Sequence, residues 1–346
     1  MIAEIYPGIY ILDIPLRNIP LKATNAYLIV GKKKNLLVDT GLNNKECLEA
    51  IQQGLEDAQV KLDKTDIFLT HMHSDHSGLV PRLSQTCNQV YAGIYTADHV
   101  NNSLDWSALF NHAQLCGLPQ KDLLEGRNNH PGYKYRPQGH VSFSLVQEKD
   151  ILQYGEFSFH CLETPGHTKG HMCLYEPYHQ LFLAGDHLLT GITPNISQWT
   201  EKNTPLLDFL QSLDKIAPLD VRYILPGHGE AFYHFQARIK EIFNHHLLRC
   251  REILKILDQQ SMTPFHIASL MSWDLQNLTW EDFPFAQKWF ATGEALSHLT
   301  FLEYFQLLRK SFDGSYYYYS ITKPDQSSLE SLTQIVHPYC PNIGLI

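Results

Sequence analysis

The sequence predicts an α/β fold. Three observations predict it. Short β-branched or apolar runs, bounded by Gly, Pro or Asn, alternate with patterns of helical period. One such run, "DIFLT", leads straight into "HMHSDHSG", which crowds His71, His73, Asp75 and His76 into six consecutive positions. Later runs lead into "ETPGHTKGH", "LFLAGDH" and "YILPGHG", and so bring His167, Asp186 and His228 to strand ends, where an α/β fold gathers its functional groups.

Taken in order, "IYILDI", "AYLIV" and "NLLVDTG" read as strands, and a helix is expected over about 45 to 57. "DIFLT" reads as a buried strand. "SGLVPRLSQTC" reads as a short helix with Pro81 in its first turn. Residues 97–139 break the rhythm with helical pieces and the Gly/Pro/Tyr-rich "NNHPGYKYRPQGH", as an insertion would. Strands resume with "FSFHCLE", "HMCLYEP", "QLFLAG" and "VRYILP". From 235 to 257, Phe235, Ile239, Ile242, Phe243, Cys250, Ile253, Leu254 and Leu257 fall on one helical face. The tail reads as two or three helices and a hairpin with an Asp-Gly turn, "SFDGSYYYYSI".

The 346 residues suffice for one large domain with an appendage or for two domains. The expected division is a catalytic domain over 1–235, with 97–139 as a helical lid insertion, a connecting helix over 236–262, and a small C-terminal domain and tail over 263–346. A net charge of −9 with no basic block argues against a general polyanion-binding surface. Pro7, Pro15 and Pro20 interrupt an N-terminus without a cationic stretch or apolar core, so neither signal peptide nor membrane span is expected. Seven scattered cysteines, none as C-x-x-C, suit reduced thiols in a cytoplasmic protein.

The clustered residues suit a metal. His71 and His73, two apart at a strand mouth, project to the same side and can hold one ion. Asp75 and His76 lie past the turn and can face a second. His167 would complete a three-histidine set, His228 would join Asp75 and His76, and Asp186 is suited to bridge. Imidazole and carboxylate without thiolate fit two divalent ions, zinc first, with iron or manganese as alternatives. His99, His112, His130, His140, His245, His246 and His298 lie outside these motifs and read as surface or satisfied core residues.

"LLVDTG", "THMHSDHSG", "TPGHTKGH", "LAGD" and "PGHG" together resemble the metallo-β-lactamase superfamily over roughly residues 5 to 235. The resemblance implies a four-layer αββα sandwich with a dinuclear site at one edge. It implies the same ligand sets, and it gives Asp39 the role of orienting a ligand rather than binding metal. Asp186 stands where the common β-lactamase subclass has Cys, which argues against a β-lactam substrate. His73 stands where flavodiiron oxidoreductases have Glu. The 41 residues between Asp186 and His228 leave no room for the large inserted domain of the nucleic-acid-processing branch. The glyoxalase II, lactonase and small-hydrolase side of the superfamily is what remains.

In the 97–139 lid, Trp106, Phe110, His112, Tyr133 and Tyr135 could line an apolar pocket or simply pack the insertion down. "GDHLLTGITPNISQW" resembles a segment that lies near substrate in one branch of small hydrolases, which makes His187 and Asn195 further candidates. "ATGEALSHLTFLEYFQLL" with its Tyr-rich hairpin resembles a winged-helix appendage, including that of an endoribonuclease-related branch. Residues 263–322 carry a net charge of −3, a poor surface for phosphates.

Two ions sharing a water make hydroxide available near neutral pH, and Asp75 can orient the nucleophile and take its proton. No dedicated general acid stands out, which favours leaving groups that depart without one: a thiolate, as in acyl-glutathione or acyl-CoA, then lactones and activated esters. The competing functions are a nuclease or phosphodiesterase using the same ions, and a non-catalytic binding module. The partners expected are a small-molecule substrate, no nucleic acid and no membrane, with a homodimer left open.

Overall fold

The computed structural model describes residues 2–17, 21–102, 104–199, 204–258, 260–274, 278–322 and 329–343. They form two compact units. The first comprises Met1–Leu104, Pro131–Pro194 and Leu219–Phe235; the second comprises Asp105–His130, Asn195–Pro218 and Gln236–Ile346.

The first unit contains both large sheets. One has the order β1 (Ile2–Tyr6), β2 (Ile9–Pro15), β3 (Ala23–Ile29), β4 (Asn35–Val38), β5 (Thr65–Leu69), β6 (Val90–Ala92) and β7 (Ser144–Leu145). Strands β1 to β4 pair antiparallel, and β4 to β7 pair parallel. Every residue of β4 and β5 is buried, as expected of central parallel strands covered on both faces. The second sheet contains β8 (Ile151–Tyr154), β9 (Phe157–Glu163), β10 (Met172–Glu176), β11 (Leu181–Gly185) and β12 (Tyr223–Pro226), hydrogen-bonded in the order β12-β11-β10-β9-β8.

The sheets share one core. Ile9, Tyr27, Ile29, Leu36, Val38 and Phe68 from the first meet Phe159, Cys161, Leu174, Leu181, Leu183 and Leu225 from the second. The other face of the first sheet is covered by α1 (Lys45–Asp57), α3 (Val80–Leu83) and α4 (Ile94–Asn101), through Cys47, Ile51, Leu55, Val80, Leu83, Ala97 and Val100. Asn44 caps α1 by accepting the Cys47 N–H. Gly54 lets α1 approach the sheet closely, because a Cβ there would stand 2.4 Å from Leu12 Cδ2. The one-turn helices α2 (Ser74–Ser77) and α7 (Pro131–Lys134) also belong to this unit, and α2 packs against α7.

The topology collects strand ends. β9 and β11 both pair antiparallel with β10, and β12 pairs parallel with β11, so β9, β11 and β12 run in one direction. Their C-terminal ends therefore lie along one edge of the second sheet.

The second unit is mainly helical: α5 (Trp106–Leu115), α6 (Gln120–Asn129), α8 (Pro205–Ile216), α9 (Phe235–Ile256, from Gln236 onward), α10 (Pro264–Leu270), α11 (Phe285–Tyr304) and α12 (Leu329–Val336). The hairpin of β13 (Leu308–Phe312) and β14 (Tyr317–Ile321) belongs here too. Its turn is longer than two residues, with Asp313 Oδ1 accepting the N–H groups of Ser315 and Tyr316 at 2.8 Å each. Within this unit α6 and α11 touch, and Trp199 stacks on Trp289 at 4.2 Å between ring centroids. The contacts group residues 105–130 and 195–218 with the tail. Among the described residues no helix is long and apolar enough to cross a membrane, and all seven cysteines are free thiols.

Candidate metal centre

Each candidate ligand follows a strand of the first unit. After β4 the chain turns at Asp39, whose φ of +62° is a left-handed conformation that Asp tolerates better than most side chains. After β5 come Thr70, His71 and His73, then Asp75 and His76 on α2. The turn beyond β9 carries His167, Asp186 follows Gly185 at the end of β11, and Gly227-His228 follow Pro226 at the end of β12. Gly185 has φ +47°. At Gly227 a Cβ would lie 2.3 Å from Asp186 Oδ1, so any larger residue would have to displace that carboxylate.

The side chains converge as three sets whose ligand atoms lie within 4.8 Å of one another: His71, His73 and His167; His71, His76 and Asp186; and Asp75, His76 and His228. His73 Nδ1 lies 3.1 Å from His71 Nε2 and 2.9 Å from His167 Nε2. Asp186 sits among the rest, with Oδ2 3.5 Å from both His167 Nε2 and His228 Nε2, and Oδ1 3.5 Å from His76 Nε2. Asp75 Oδ2 lies 3.3 Å from His228 Nε2 and 3.7 Å from His76 Nε2.

The outward nitrogens fix which way the lone pairs face. Asp39 accepts from Thr70 N–H at 2.9 Å and Thr70 Oγ1 at 2.7 Å. With its proton given to Asp39, the Thr70 hydroxyl oxygen accepts from His71 Nδ1 at 3.0 Å. His76 Nδ1 donates to Asp39 Oδ2 at 2.8 Å, and His228 Nδ1 donates to the Ala23 carbonyl at 2.8 Å. In the neutral rings, the Nε2 atoms of His71, His76 and His228 therefore point lone pairs inward.

Three observations make this arrangement fit divalent cations. The inward lone pairs of His76 and His228 face each other at 3.3 Å. Asp186 Oδ1 is buried without a hydrogen-bond partner among the described residues, which costs free energy that a cation would offset. The donor set is imidazole and carboxylate alone, suited to zinc and similar divalent ions.

The electrostatics divide the centre into two halves. Burial, then the imidazoles of His76, His73 and His167, holds His71 well below its ordinary pKa. Burial and His167 push His73 down to about 3. Burial also opposes charge on His76, but Asp186, Asp39 and Asp75 outweigh it and push the ring up to about 9. His228 rises for the same reason, burial being outweighed by Asp186 and Asp75. Asp75 is lowered because His76 and His228 outweigh its burial. One half is thus a set of neutral imidazoles, and the other half attracts positive charge.

The remaining candidates are distributed over both units. His187 is fully buried, its ring centroid 6.0 Å from that of His171. Tyr133 and Tyr135 lie on and just after α7 in the first unit, with Tyr135 partly packed against the sheet core. In the second unit Trp106 lies tilted against Phe110 at 6.0 Å and edge-on to His130 at 5.2 Å, Phe110 meets Trp289 at 5.7 Å, and His112 meets Tyr317 at 5.9 Å. There too Asn195 donates to Glu294 Oε2 at 2.8 Å.

Sequence reasoning passed over His171, although it ends the "TPGHTKGH" motif. Its Nε2 accepts the backbone N–H of Asp186 at 3.1 Å, and its Nδ1 donates to Thr164 Oγ1 at 2.7 Å. The signal was a second histidine four residues after His167.

A model of the metallo-beta-lactamase superfamily matches residues 19–228. The "Probable metallo-hydrolase YqjP" of Bacillus subtilis is 27% identical over 311 residues, 86% of this chain and 93% of that protein. The human "Acyl-coenzyme A thioesterase MBLAC2" is 24% identical over 231 residues, 60% of this chain and 74% of that protein. The crystal structure of a metallo-beta-lactamase family protein from Thermus thermophilus has a TM-score of 0.76 at 26% identity, covering 92% of this chain and all of that one.

Proposed function

This chain belongs to the metallo-beta-lactamase superfamily, and from that premise we propose that it is a metal-dependent hydrolase of small thioesters. The observation that carries the proposal is the convergence of His71, His73, Asp75, His76, His167, Asp186 and His228 within one set of strand ends. Support for a thioester comes from the relatives, one named an acyl-coenzyme A thioesterase and another, 25% identical over 237 residues, an atrochrysone carboxyl ACP thioesterase.

His71, His73 and His167 would hold one ion, and Asp75, His76 and His228 a second, with Asp186 between them. Bound ions would supply Lewis acidity, lowering the pKa of water towards neutrality and polarising a carbonyl. Asp75 is the carboxylate best suited to hold the attacking water and take its proton, because its side chain is 20% exposed while those of Asp39 and Asp186 are 2% and 8% exposed. Asp39 and the Ala23 carbonyl hold the rings of His76 and His228 in place, so that little reorganisation accompanies the reaction. A thiolate departs without a proton donor, so a thioester asks less of the site than an amide would.

Thiol release from a panel of acyl-CoA and acyl-glutathione thioesters tests this, using protein of measured metal content. Release that falls about 10²- to 10⁴-fold in Asp75→Asn, at equal metal content, is the expected result. No release from fully loaded protein across the panel would overturn it.

A further inference from the structure

Strand β3 of the first sheet holds the turn that carries His228. Strand β4 pairs with β3 only over residues 27–29, which leaves residues 23–25 without a β4 partner. The residues after β12 take that place. The Asn25 backbone N–H donates to the Gly227 carbonyl at 2.8 Å, and His228 Nδ1 donates to the Ala23 carbonyl at 2.8 Å. Two side chains complete the clamp. Asn25 and Tyr27, two apart on the strand, face the same side. Asn25 Nδ2 donates to the Gly229 carbonyl at 2.7 Å and to the Pro226 carbonyl at 2.9 Å, and Tyr27 Oη donates to the Pro226 carbonyl at 2.7 Å. The carbonyls of 226, 227 and 229 therefore all accept from β3. On the other side of the turn the Gly227 N–H donates to the Gly185 carbonyl at 2.7 Å.

The chemistry of this clamp is specific. Both N–H groups of the Asn25 amide are taken by carbonyls, where a carboxylate of the same size would repel them. Asn25 and Tyr27 are 3% and 2% exposed, so bulk water does not replace the lost donors in a variant. The clamp is also one-sided. Among the described residues the two side chains bond to residues 226 and 229 and to each other, whereas His71 is held by the Thr70 hydroxyl at 3.0 Å. A ligand fixed in advance loses little freedom when an ion binds, while a loosened one must first be ordered. We propose that Asn25 and Tyr27 are positioning residues for one ion only: by fixing the turn of His228 they set the affinity of the Asp75, His76 and His228 set and leave that of the His71, His73 and His167 set unchanged. This rests on the two-ion reading above and not on the identity of the substrate.

The test is titration of the stripped full chain with Zn²⁺ in competition with a chromophoric chelator, which reads the number of ions bound and the affinity of each. Wild type is expected to take up two. Asn25→Asp should weaken one ion about 10- to 100-fold and leave the other unchanged. Tyr27→Phe keeps its ring in the core and removes one donor, so it should weaken the same ion by less, about 2- to 10-fold. His228→Ala identifies that ion, and adding Asn25→Asp to it should not change the ion that remains. A general loss of structure would weaken both ions alike, so selectivity between them, in samples whose melting curves show a folded chain, is the signature. Weakening of both ions, or of neither, in the folded variants overturns the assignment. Fewer than two ions in wild type removes the two-ion reading and the assignment with it. Selective loss in the variants without cleavage of any thioester by loaded wild type keeps the assignment and removes the hydrolase reading. Thioester cleavage by wild type with both ions held equally well in the variants does the reverse.

Discussion

His76 Nε2 and His228 Nε2 face each other at 3.3 Å, although the other nitrogen of each ring already donates, to Asp39 and to the Ala23 carbonyl. Two neutral rings so held repel through their lone pairs, and a proton or a metal ion between them removes the repulsion. Metal should therefore stabilise the fold. Protein stripped by a chelator should melt lower than loaded protein in scanning calorimetry, with a gain of about 2.7 kcal/mol for each site filled at a hundredfold excess over its Kd. Equal melting of stripped and reloaded samples would remove the metal reading of this cluster.

Asp39 should matter through the residues it holds. It takes two hydrogen bonds from Thr70 and one from His76, and so sets the orientation of both His71 and His76. Asp39→Asn, which retains one acceptor oxygen, should weaken metal affinity about 10- to 100-fold in a competition titration. Unchanged affinity would mean that packing alone orients the rings.

Gly227 stands against the central carboxylate. A Cβ there would meet Asp186 Oδ1 at 2.3 Å and His76 Cε1 at 2.9 Å. Gly227→Ala should lower the number of ions bound per chain, measured by elemental analysis, while circular dichroism retains the strand and helix signals. Full occupancy in this variant would show that the backbone can withdraw.

His171 is a positioning residue, buried and in contact with the Asp186 backbone. His171→Ala leaves that N–H and the Thr164 hydroxyl short of a partner, and should cost about 1–3 kcal/mol in denaturant unfolding. Wild-type stability in this variant would deny the ring that role.

In the second unit His298 Nδ1 donates to the Glu294 carbonyl at 2.8 Å, which leaves its Nε2 to accept from His246 Nδ1 at 3.1 Å. Both rings are buried, and burial is the main cause that pushes His298 down to about 3. A histidine lowered in the folded state contributes stability that is fully present above its unfolded pKa of about 6.5. That stability is lost as pH falls below this value, by about 1.4 kcal/mol per pH unit until the folded pKa is reached. Denaturant unfolding of wild type and His298→Gln between pH 7 and pH 4.5 should show the shallower slope in the variant. Parallel slopes would mean that the pair does not govern acid stability.

The titratable groups gathered at strand ends are legible in the sequence alone. His71, His73, Asp75 and His76 are legible because one turn after one strand fixes them relative to each other. The strands over 9–15, 65–69 and 181–185 are legible through their apolar runs. The family motifs suggested that Asp39 orients a ligand; in the structure it accepts from Thr70 and His76. Only tertiary structure decided the rest. His171 on Asp186, Gly227 against Asp186 and Ala23 on His228 join residues 15, 41 and 205 positions apart. The placement of Phe110 near Trp289, more than 170 positions away, is of the same kind. Local periodicity is set by the backbone repeat within a few residues. The partner across a site is set by sheet order, and sheet order is settled by the packing of all the strands together.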